Sequence, residues 1–97
     1  MRAVTTERHP RYRIELTSAA LRDLKALPEN VLRRVDRRIL SLADNPWPRG
    51  SKKLKGEESL YRVRVGDYRI IYRVEEEVLL ILVIRIRHRR DVYRGLS

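Results

Sequence analysis

The chain is expected to fold as an α+β domain in the order β-α-α-β-β-β, a helical hairpin packed on a four-stranded twisted sheet. Three observations predict this. Apolar residues of the first half recur at helical spacing. After Gly56 the period changes to two. A Gly-Asp pair, Gly66 and Asp67, then separates two alternating runs, where a two-residue hairpin turn belongs. Helices and strands grouped apart along the chain are the mark of α+β architecture. The 97 residues suit a single domain, expected over residues 11–97, preceded by a polar, aperiodic leader over 1–10 that is expected to be flexible.

The first strand is expected in the run Tyr-Arg-Ile-Glu-Leu, Tyr12 to Leu16, which alternates apolar and polar. Thr17 or Ser18 can cap the helix that follows, in which Leu21, Leu24 and Leu27 recur until Pro28 stops it. Pro28 suits the start of a second helix, with Leu32, Val35, Ile39 and Leu42 as its apolar stripe and Arg33, Arg34, Arg37 and Arg38 around the rest. Those arginines suit an anionic partner or simple solvation. Asn45 to Gly56, rich in Pro, Gly and Lys, is expected to be a loop, with Trp47 plugging the end of the core.

Three strands are expected after the loop: Leu60 to Val65, Tyr68 to Val74 and Val78 to Arg87. A type II′ turn at Gly66-Asp67 places Val65 opposite Tyr68, Val63 opposite Ile70 and Tyr61 opposite Tyr72, which makes one face apolar and aromatic and turns it to the helices. On the other face Arg64 lies opposite Arg69, Arg62 opposite Ile71 and Leu60 opposite Arg73. Strict alternation in the last strand puts Arg85 and Arg87 on that basic face together with Leu79, Ile81 and Val83. The tail from His88 is expected to hold at most a helical turn.

Lys and Arg number 23 against 13 acidic residues, a formal net charge of +10, which favours a polyanionic partner. With no cysteine a disulfide framework and a thiolate metal site are excluded, two histidines far apart argue against a histidine-based site, and neither metal nor cofactor is expected. The longest apolar run, Val78 to Ile84, is about a third of a membrane-spanning helix, so no membrane association is expected and the protein is expected in the cytoplasm.

The order of elements, with Lys-Leu-Lys-Gly at Lys53 to Gly56, Tyr-Arg-Val-Arg-Val-Gly-Asp-Tyr-Arg-Ile-Ile-Tyr at Tyr61 to Tyr72, and His-Arg-Arg-Asp-Val-Tyr at His88 to Tyr93, resembles the RelE/ParE superfamily of toxin-antitoxin toxins. The resemblance covers nearly the whole chain from Tyr12. It implies one of two activities on one fold: RelE-like cleavage of messenger RNA on the ribosome, or ParE-like inhibition of DNA gyrase by binding. A catalytically inactive member binding RNA or antitoxin is a third possibility. In each case it implies a cognate antitoxin as partner. For the nuclease it assigns phosphate binding and transition-state stabilisation to Arg69 and Arg89, and stacking or proton transfer to Tyr93. Where some members carry lysines before the hairpin turn this chain has Arg62 and Arg64, so the general base is left unassigned.

These assignments suit the chemistry. Attack of a 2′-hydroxyl on the adjacent phosphate develops negative charge that fixed cations stabilise, and the arginine fork grips phosphate oxygens without losing its proton. Arg62 and Arg64 are expected to support that role. The imidazole of His88 is a candidate for acid-base work. Lys52, Lys53, Lys55, Arg73, Arg85 and Arg87 are candidates for RNA binding through charge.

Overall fold

The computed structural model describes residues 11–56 and 59–90, so the leader and the tail from Asp91 lie outside the described residues. The elements are β1 (Arg13–Leu16), α1 (Ser18–Lys25), α2 (Glu29–Leu42), β2 (Lys52–Lys53), β3 (Leu60–Val65), β4 (Tyr68–Glu75), a 3-10 turn (Glu76–Val78) and β5 (Leu80–His88). The class is the expected α+β. The sheet has five strands, not four, in the order β1-β5-β4-β3-β2, with β1 parallel to β5 and the other neighbours antiparallel. The extra strand is β2, two lysines that pair with Tyr61 and Arg62 at the edge of β3.

Thr17 caps α1 as its side chain accepts the Ala20 N–H at 3.0 Å. Pro28 is the N-cap of α2 and its carbonyl accepts the Leu32 N–H at 2.8 Å, so the first turn closes without needing a proline N–H. Val35, Ile39 and Leu42 of α2 are buried against the sheet, and Val31, rather than the expected Leu32, packs beside them on the core. Facing them are Val63, Ile70, Tyr72, Val74, Ile81, Val83 and Ile86, with Ile14 and Leu16 of β1 partly buried at the margin. Burial of each such side chain contributes about 1.5–3 kcal/mol.

The β3–β4 hairpin has the expected register throughout, from Val65 opposite Tyr68 to Leu60 opposite Arg73. Gly66 has φ +58° and Asp67 is not left-handed, as a type II′ turn requires. In β5, by contrast, Ile81 and Val83 face the core, not the basic side. The cause is a β-bulge: Ile71 pairs with Arg85 but Tyr72 pairs with Val83, so Ile84 is inserted and the faces exchange there. The strand also begins later than expected, because Val78 closes the 3-10 turn and Leu79 is left-handed at φ 51°, both exposed.

The bulge is held from α1. The Thr17 N–H donates to the Val83 carbonyl at 3.0 Å and its hydroxyl donates to the Ile84 carbonyl at 2.8 Å. Further along α1, the Asp23 carboxylate accepts the Ile86 N–H at 2.9 Å, so α1 covers the β5 edge beyond the end of β1.

At the other end of the core, Trp47 meets Tyr12 and Tyr61 edge-on at 6.5 and 6.4 Å, and Tyr61 stacks on Tyr72 at 5.9 Å. The tryptophan thus covers the end of the core as a plug, with 40% of its surface left open. The Tyr72 hydroxyl donates to the Pro46 carbonyl at 2.6 Å, and burial pushes its phenol up to about 12.

Candidate nucleic-acid interface

The sheet face away from the helices carries its cations in rows set by strand pairing. Arg64, Arg69 and Arg87 lie directly opposite one another across β3, β4 and β5. The next row is Lys52, Arg62, Ile71 and Arg85, and the one after it Leu60, Arg73 and Leu82. Residues directly opposite in antiparallel strands have Cβ atoms about 4.5–5.5 Å apart, and like charges there are unfavourable. The central residue of the arginine row is the least accessible: Arg69 is 5% exposed. One guanidinium nitrogen of Arg69 donates to the Tyr68 carbonyl at 3.4 Å. Ile71, in the following row, is also buried, flanked by the long stems of Arg62 and Arg85.

The structure therefore brings together Arg62, Arg64, Arg69 and Arg87, with Lys52 at the edge. Lys52 and Lys53 are strand residues, not loop residues, while Lys55 is exposed in the turn after them. Arg73 lies one row further along, 3.9 Å from Glu75. Arg85 is engaged elsewhere: its Nε and one terminal nitrogen donate to Asp23 at 2.8 and 3.2 Å. Burial alone would raise the Asp23 carboxyl, but hydrogen bonds from Arg85 and the Ile86 amide, with the charges of Arg85 and Arg87, hold it below its ordinary value. The same pairing raises Arg85.

Arg89 follows β5 directly, with its backbone N–H on the Asp67 carbonyl at 2.7 Å, which sets this exposed arginine beside the β3–β4 turn and near the end of the arginine row. His88 pairs with Tyr68, meeting its ring edge-on at 5.3 Å, and its Nδ1 accepts the Arg90 N–H at 3.3 Å. This places His88 on the side of the sheet that bears Tyr68 and Ile70, opposite the row of Arg64, Arg69 and Arg87. Tyr93 lies outside the described residues.

Such a face can bind successive phosphates and stabilise charge on one of them. Three arginines at strand spacing present several planar forks that match the geometry of phosphate oxygens. What sequence reasoning missed is Asp23, which fixes Arg85 and the β5 edge from 62 residues away and carries no local motif.

The chain matches the family of ParE toxins of the type II toxin-antitoxin system parDE over residues 14–93. The RelE1 protein of Methanocaldococcus jannaschii is 33% identical over 88 residues, covering 88% of this chain and 98% of that one. The toxin in the RelBE2 toxin-antitoxin complex of Mycobacterium tuberculosis superposes with a TM-score of 0.72 at 32% identity, covering 82% of this chain and 99% of that one. The archaeal RelE-RelB complex of Pyrococcus horikoshii gives a TM-score of 0.72 at 30% identity, covering 90% and 99%. The arrangement of strands, the arginine face and these likenesses converge: the chain belongs to the ParE toxin family of the RelE/ParE superfamily and is a RelE-like toxin of a type II toxin-antitoxin system.

Proposed function

We propose that the protein is a metal-independent endoribonuclease that cuts messenger RNA on the translating ribosome, in the cytoplasm. The observation that carries this is the row of Arg64, Arg69 and Arg87 across three strands, on the sheet face away from the helices. In the reaction the 2′-oxygen bonds to the adjacent phosphorus as its proton passes to a base. The bond from phosphorus to the 5′-oxygen breaks, and that oxygen takes up a proton. Arg64, Arg69 and Arg87 bind the phosphate and stabilise the charge on its non-bridging oxygens, with Arg62 supporting them. Arg89, at the end of the row, holds the leaving side, and Tyr93 stacks on the exposed base. Because arginine is a poor proton shuttle, the proton transfers fall to other groups.

The partner proposed for the resting state is a cognate antitoxin, since the relatives in the Mycobacterium tuberculosis and Pyrococcus horikoshii structures are complexes of RelE with RelB. A second reading, inhibition of DNA gyrase by binding, is favoured by the match to a family described as ParE toxins. Parallel assays separate the two. Primer extension on an actively translated message should show new 5′ ends with gyrase supercoiling unaffected; gyrase inhibition without RNA cleavage reverses the assignment.

A further inference from the structure

Two arginines of β5 share the sheet face away from the helices, and one carboxylate separates their roles. Arg85 and Arg87 pair with Ile71 and Arg69, so strand alternation sets them on the same side, about 7 Å apart along the strand. Their surroundings differ. Arg87 lies in the row with Arg64 and Arg69. The Arg85 fork is turned to Asp23 of α1, which accepts its Nε at 2.8 Å and one terminal nitrogen at 3.2 Å. The same carboxylate accepts the Ile86 N–H at 2.9 Å, so it grips the strand between the two arginines.

A guanidinium held by two prongs to a carboxylate has those donors spent and its charge offset, so it binds a phosphate only by giving up its partner. The Asp23 side chain is largely buried and that of Arg85 partly so, which protects the pair from solvent screening. Released, the Arg85 fork would stand one row along from Arg87 and compete for the same strand. A phosphate held there is badly served. The residue opposite Arg85 on β4 is the buried Ile71, whereas the residue opposite Arg87 is Arg69. A phosphate on Arg85 thus lacks the central cation and is out of line with Arg64 and Arg69.

Resting on the proposed cleavage of RNA, we infer that Asp23 is a positioning residue for that reaction: it withholds Arg85 from the substrate, so that of these two arginines Arg87 takes the phosphate, in register with Arg64 and Arg69. The consequence runs against the usual expectation for a lost ion pair. Removing the Asp23 charge frees a cation on the RNA-binding face, so RNA is bound more tightly, but in a second register that does not react. The fold keeps its strand anchor when Asp23 becomes Asn, because the amide oxygen still accepts the Ile86 N–H. Asp23→Asn therefore separates the release of Arg85 from the loosening of β5.

The test is equilibrium binding of a fluorescent single strand of 2′-O-methyl RNA, which has no nucleophile and is not cut, to the full chain over a salt series, at a temperature where melting curves show every variant folded. One added phosphate contact steepens the slope of log K against log salt by about 0.7 for a single strand, and Asp23→Asn should show that change. In message cleavage on translating ribosomes the unreactive register competes with the productive one, so kcat and KM of Asp23→Asn should fall by the same factor, with kcat/KM held. Adding Arg85→Gln to Asp23→Asn should return the slope and both constants to their wild-type values. Arg85→Gln alone should leave the slope unchanged. A merely structural role for Asp23 predicts lower stability with no change of slope, and that result overturns the assignment. So does a steeper slope that persists in the double variant, or a slope that falls by about 0.7 in Arg85→Gln alone. If the slopes move as expected and wild type cuts no message, the nuclease reading fails and the withholding of Arg85 stands.

Discussion

The Thr17 hydroxyl donates to the Ile84 carbonyl at 2.8 Å while the same oxygen accepts the Ala20 N–H at 3.0 Å. One side chain therefore caps α1 and satisfies the carbonyl of the residue inserted at the β5 bulge. The bulge in turn decides which residues of β5 lie on the arginine face. Thr17→Ala should lower stability by about 1–2 kcal/mol, since it removes a cap and orphans a carbonyl. Thr17→Ser should restore most of it. Urea unfolding of the three proteins checks this; equal midpoints would separate the cap from the bulge.

Asp23→Asn should lower stability by about 1–3 kcal/mol at neutral pH, because a charge-assisted pair with Arg85 is lost from a carboxylate 16% exposed. The pH dependence has a definite sign. Asp23 is held below its ordinary 3.8 in the folded state. Its contribution is therefore complete above that value and is lost as pH falls through the folded value. The gap between wild type and variant should close in acid. Melting curves from neutral to strongly acidic pH measure it, and a gap that stays constant contradicts the pairing.

Tyr72 sets the alkaline limit. Its phenol is pushed up to about 12 from 10.0, so the folded state resists its ionisation. That contribution is complete below 10.0 and is lost as pH rises through about 12. Tyr72→Phe should cost about 1–2 kcal/mol at neutral pH, as the Pro46 carbonyl loses its donor, while removing this part of the alkaline loss. Tyrosinate absorbance should show one tyrosine titrating together with unfolding in wild type and not in the variant.

How much of this was legible in the sequence depends on local constraint. The hairpin register and the Arg64–Arg69 pair were legible because Gly66 and Asp67 tie two strands together with no freedom to slip. The phase of β5 was not. Val78 to Ile84 is apolar at every position, so alternation fits it equally in either phase, and putting Arg85 and Arg87 outward by strict alternation drags Ile81 and Val83 out with them. The bulge at Ile84 resolves that conflict, and its determinants, Thr17 and Asp23, lie more than 60 residues away. β2 was hidden because two lysines carry no strand preference and pair only because the β3 edge is there. Of the candidate site, the cations of the arginine face were legible by alternation. The engagement of Arg85 by Asp23 and the placement of His88 on the opposite side depend on non-local packing.

The central claim is that the row of Arg64, Arg69 and Arg87 stabilises charge on the scissile phosphate. Its most direct test is the single-turnover rate of message cleavage on translating ribosomes, with saturating toxin carrying Arg64→Ala or Arg87→Ala and with Arg33→Ala as the control. Loss of one preorganised donor should slow cleavage by about 10²-fold to 10³-fold in each row variant, with the control at the wild-type rate. Folded row variants that cleave at the wild-type rate would contradict the account.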